Sequence, residues 1–160
     1  MMLTIELKKG KDGPSSLACV RGDGTRTWAR LHPFLPTHDL THCAVESVLG
    51  FTEAFFGLLD QGWEIDTFAK PGMARQLPHQ AIWAEHLVGL LEHRVADDAP
   101  GLNEALAVSL EPAQRPPAPL LTAETLTRIR ALRNELVGLW ASIAPGETLR
   151  VSFPASFAVA

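Results

Sequence analysis

His38, His42, Glu46 and Glu53 are spaced four, four and seven apart within THDLTHCAVESVLGFTE, residues 37–53. On one α-helix, at 100° per residue, they fall within about 80° of arc, so imidazoles and carboxylates share a face. Two imidazoles one turn apart can meet a single metal ion, and a nearby carboxylate can complete its shell or handle a proton. His38 and Glu46 stand two turns, about 12 Å, apart. A mononuclear site therefore takes His38 with His42, or His42 with Glu46, and recruits the rest from another element. His38 and His42 are the expected metal ligands, and Glu46 and Glu53 the expected catalytic carboxylates. A divalent transition metal is the expected cofactor, zinc foremost, although His/carboxylate sets accept several such ions.

A second helix can supply the missing donor. HQAIWAEHLVGLLEHRV repeats a Glu-His pair, Glu85-His86 and Glu92-His93, at seven-residue spacing. That spacing returns each pair to nearly the same face. His86 and His93 are the expected further ligands, with Glu85 and Glu92 as carboxylate alternatives. Asp39 points about 100° away from His38. Its expected role is to face the unpaired N–H groups of the helix start. Cys43 and Ser47 lack any nucleophile motif around them, and Gly22 and Gly24 mark a reversal rather than a phosphate loop.

The elements that must position these residues follow from hydrophobic periodicity. LTIELKK, SLACVRG and TRTWARLH read as three short antiparallel strands, and ETLRVSFPA as a fourth that returns to them. A small sheet needs a covering layer, which helices supply. The first helix is expected from His38 to about Asp60, capped by Thr37 after the proline of HPFLP. The second begins near Pro78, a third covers GLNEALAVSL, and a fourth covers LTAETLTRIRALRNELVGLW. The expected class is α+β, a small antiparallel sheet of three or four strands packed against three or four helices. One domain over residues 1–160 is expected, with a proline-rich surface connector at 111–120, where four prolines fall in ten residues.

The 160-residue chain is 46% hydrophobic and carries 14 basic against 18 acidic side chains, a net charge of −4. A core of ordinary size is available without cross-links. The acidic balance, with no arginine-rich or aromatic-interleaved motif, argues against a nucleic-acid partner. No apolar run reaches the roughly 18 residues of a membrane span. Two cysteines outside any CxxC pair fit a reducing compartment, so a cytoplasmic protein without membrane contact is expected. A small-molecule substrate and self-association are the partners compatible with such a surface.

LPTHDLTHCAVES resembles the signature of a small uncharacterised bacterial protein family with an LPxHDLxHxxVE pattern. Leu35, Pro36, His38, Asp39, Leu40, His42, Val45 and Glu46 are the matching positions. HDLTH is also similar to the HDxxH portion of a ubiquinone-biosynthesis family whose glutamate follows after eleven intervening residues. Here Glu53 follows His42 after ten, a departure that leaves the histidine pair in register. Two functions are expected from these features: a metal-binding protein acting as a metal-dependent hydrolase, or a noncatalytic domain that binds a ligand or a protein through this helix.

Overall fold

A computed structural model describes residues 2–156. Strands β1 (Leu3–Lys8), β2 (Ser16–Val20), β3 (Arg26–Arg30) and β4 (Thr148–Phe153) form one antiparallel sheet in the order β3-β2-β1-β4. The last strand does return, pairing Ile5 with Val151 at the middle of β1. Alternation decides the faces. Leu3, Ile5 and Leu7 point inward beside Leu17, Cys19, Leu149, Val151 and Phe153. Thr4, Glu6 and Lys8 occupy the alternate, outer positions. The α+β expectation holds, with a four-strand sheet and five helices among the described residues.

The helices are α1 (Leu35–Leu49), α2 (Phe55–Asp60), α3 (His79–Glu92), α4 (Ala99–Leu110) and α5 (Ala123–Ser142). Short 3₁₀ turns over Ile65–Ala69 and Met73–Arg75 join α2 to α3. The segment between α4 and α5 forms no helix or strand; within it, Arg115 donates to the Leu77 and Ala74 carbonyls, and the Pro116 carbonyl accepts from Trp83.

Helix α1 is the centre of the molecule. Leu40, Cys43 and Ala44 pack into the core against the sheet and α5. Val45 enters a second core with Leu87 and Val88 of α3, Leu102 and Leu106 of α4, and Ile129 of α5. Each fully buried Leu, Ile or Phe contributes about 1.5–3 kcal/mol of transfer free energy, so both faces of α1 are held firmly. The polar residues on α1 are covered too. Asp39, Thr41, His42 and Glu46 are all buried, which contrasts with the wet boundary that periodicity alone suggests.

The first helix differs from its expected span at both ends. It starts at Leu35, one turn early, with Pro36 inside its first turn and Phe34 as an N-cap that makes no side-chain hydrogen bond. A proline needs no N–H partner there, which favours the earlier start. It stops at Gly50, whose φ of 69° is left-handed and ends the α-helical ladder. A separate helix then begins at Phe55. Gly57 allows that second start, because a Cβ there would lie 2.2 Å from the Thr52 carbonyl oxygen. Among the described residues no helix is long and apolar enough to cross a membrane.

Candidate metal centre

The seven-residue spacing on α3 turns both glutamates toward α1. Glu85 reaches the histidine pair, with Oε2 2.8 Å from His42 Nε2 and Oε1 3.5 Å from His38 Nε2. Glu92, two turns on, lies 2.5 Å from the Thr41 hydroxyl and 3.5 Å from the Arg133 guanidinium. Arg133 also donates to Thr41 at 2.9 Å. Glu92 therefore fastens α3 to α1 and α5, while Glu85 is left to face the imidazoles.

Among the described residues one group of three potential ligands converges: His38, His42 and Glu85, with one donor atom of each within 4.8 Å of the others. The two rings stand edge to face, 4.9 Å between centroids. Tetrahedral donors at 2.0–2.2 Å from an ion would stand about 3.4 Å apart. The two separations to Glu85, one from each of its oxygens, bracket that value. Two imidazoles and a carboxylate are a donor set that zinc and several other first-row divalent ions accept.

Glu46 explains how His42 is held. Its Oε2 lies 3.1 Å from His42 Nδ1, and its Oε1 accepts from the backbone N–H groups of Phe56 at 2.9 Å and Gly57 at 3.4 Å. Those donors are the otherwise unpaired N–H groups at the start of α2, whose N-cap Ala54 supplies no side-chain bond. A carboxylate on one ring nitrogen fixes the tautomer and presents the other nitrogen for ligation. Glu46 is fully buried, an arrangement tolerated because both oxygens are engaged.

The electrostatics follow from this sandwich. Burial opposes a charged His42, but the Glu46 and Glu85 carboxylates on its two nitrogens outweigh it and push the ring up to about 10. Burial pushes the Glu46 carboxyl up, opposed by His42 and the two backbone donors. Hydrogen bonds from His38 and His42 hold Glu85 well below the usual carboxylate range. The position between His42 and Glu85 thus favours a cation, whether a proton or a metal ion.

Beside this cluster opens a cavity of about 500 Å³. His38, His42, Glu85, Asp39 and His86 line it, against an apolar wall that includes Leu17, Leu31, Phe55, Phe68 and Ile82. Asp39 is 6% exposed, and its Oδ2 has no hydrogen-bond partner. Burial pushes its carboxyl up to about 7. The early helix start removes Asp39 from the first turn, so it does not meet the open N–H groups expected for it.

The other expected site residues lie in different surroundings. His86 lines the cavity, but its Nδ1 is 2.5 Å from Ser109 Oγ on α4. His93 ends α3 and is exposed. Glu53 is exposed in the bend between α1 and α2, where its backbone N–H donates to Gln80. The break at Gly50 takes it off the helical stripe. Cys43 is fully buried and its thiol is pushed up to about 12 by burial, leaving little thiolate for nucleophilic work. Glu85 and Asp39 are the residues whose parts exceed expectation. The seven-residue periodicity on α3 carries the signal for Glu85; Asp39 stands in the HDxxH pattern, but no periodicity signals its isolation.

What class of protein does this define? It is an α+β protein with a histidine–carboxylate cluster at metal-binding distances beside an apolar cavity. Comparisons with protein-family models, curated proteins and solved structures found no match. Function therefore rests on the geometry.

Proposed function

We propose that the protein is a single-ion metal protein, with His38, His42 and Glu85 as ligands and zinc as the first-choice ion, acting as a hydrolase on a small molecule held in the adjoining cavity. The observation that supports this best is the pairing of a three-donor cluster with the buried Glu46 that fixes His42 from behind. Three protein ligands leave a fourth position open, the arrangement of catalytic rather than structural sites. When bound, the ion would act as a Lewis acid that acidifies a water molecule and polarises a substrate carbonyl.

The residues divide the remaining work. His38 and His42 hold Nε2 toward the centre, Glu85 supplies the negative charge, and Glu46 is a positioning residue that acts through His42. His42 is buried while Glu85 is largely exposed, so the apolar wall keeps water from the His42 side of the centre, where charge interactions are strengthened. His86 and Asp39 line the same space and meet the substrate rather than the ion.

A second reading has its own support. The 2.8 Å contact between His42 and Glu85 is also that of a hydrogen-bonded ion pair that needs no metal. Metal analysis of untagged protein separates the two. The expected result is about one transition-metal ion per chain, with the ion lost in the His38→Ala/His42→Ala double variant. Full retention in a folded double variant rules out these ligands, and a metal-free wild type that takes up no added zinc favours the ion pair.

A further inference from the structure

The cavity wall and the lone Asp39 oxygen together describe a ligand. A volume of about 500 Å³ falls within the usual span of small-molecule sites, roughly 300–1,000 Å³. Its body is apolar, with the polar groups gathered on the α1 and α3 side. Most of those are already paired: His42 with Glu46 and Glu85, His38 with Glu85, and His86 with Ser109. Asp39 Oδ2 is the exception. It is buried and partnerless, on a residue of the cavity lining. A buried polar atom without a partner costs about 1–3 kcal/mol, and folded proteins keep few of them. A ligand group seated against Oδ2 removes that cost only in the bound state, which gives selectivity for ligands that carry such a group.

We propose that this cavity binds a small, uncharged molecule with an apolar body and a hydroxyl or amide head, and that Asp39 Oδ2 is the protein atom that meets the head. A ligand with a full negative charge is disfavoured by the Glu85 carboxylate at the polar end. One with a purely hydrocarbon surface leaves Oδ2 as it is. The assignment rests on the metal-centre reading only for which end of the molecule lies beside His38 and Glu85. It deepens that reading by naming the substrate class, and recognition by Asp39 requires no ion.

Calorimetric titration with 2-naphthol, naphthalene and 2-naphthoate, on ion-free protein, tests this. Wild type is expected to bind one 2-naphthol per chain, about tenfold more tightly than naphthalene and more tightly than 2-naphthoate. Asp39→Leu should abolish the preference for the hydroxyl while naphthalene still binds. Ala74→Trp, placing an indole at an exposed point of the lining, should weaken both aromatic ligands without touching the core. Absence of binding by all three probes, a preference that survives Asp39→Leu, or tighter binding of 2-naphthoate would each overturn the assignment. Zinc titration of the same sample separates the two readings. Zinc uptake without 2-naphthol binding leaves the metal centre and rejects the ligand; the converse rejects the metal centre alone.

Discussion

Glu46→Gln is expected to weaken metal binding by roughly 10–100-fold while leaving the fold in place. The amide keeps the carboxylate's shape, and its carbonyl oxygen can still accept from the Phe56 and Gly57 N–H groups. Its NH₂ group then faces His42 Nδ1, which must become an acceptor. The ring proton moves to Nε2, the nitrogen that faces Glu85 and the centre. Ligation through Nε2 returns the ring's remaining proton to Nδ1, where it faces the amide NH₂ instead of an acceptor, so affinity falls although no ligand has been replaced. Competition against a chromogenic chelator measures the change. An affinity equal to wild type would show that Glu46 serves only to start α2.

The second large effect is one of stability. Asp39 has its folded value raised to about 7 from an ordinary 3.8, with burial as the principal cause. The folded protein therefore keeps a proton that the unfolded chain releases. Its contribution is fully present below about pH 4 and is lost as pH rises through 7. At ~1.4 kcal/mol per pH unit the loss between about pH 4.5 and pH 8.5 is ~3 kcal/mol. Asp39→Asn removes this titration. Urea denaturation of ion-free protein should show the variant gaining ~3 kcal/mol on wild type across that interval. A gap that stays constant with pH would mean that the carboxyl is solvated or paired in the folded state.

Much of the architecture was legible because it rests on local alternation. LTIELK shows its inward leucines and isoleucine by a period of two, and β4 shows the same pattern at Leu149, Val151 and Phe153. The histidine pair was legible because four residues make about one turn. Glu85 was only half legible. Periodicity places Glu85 and Glu92 on one face, but the choice between Glu85 and His86 needs the rotation of α3 about its axis, which packing against α1 and α4 sets.

The misreadings share a physical cause. A helix covered on both sides has no wet boundary, so an arc drawn on α1 cannot tell a solvated carboxylate from Glu46 buried beneath α2. The break at Gly50 depends on a left-handed backbone turn and on the close approach of Gly57 to Thr52. Apolar periodicity runs through that break undisturbed, which is why Glu53 stayed on the expected stripe. The isolation of Asp39 is silent in sequence for a similar reason: it is created by cavity walls drawn from β2, α2 and the 3₁₀ turns.

Anomalous scattering from crystals of the untagged, zinc-loaded protein, collected on both sides of the zinc absorption edge, tests the central claim most directly. A single peak is predicted about 2.0–2.2 Å from His42 Nε2, a His38 ring nitrogen and a Glu85 oxygen, with Glu46 still against His42 Nδ1. A zinc-edge difference map with no peak between those three side chains, and His42 still bonded directly to Glu85, would contradict it.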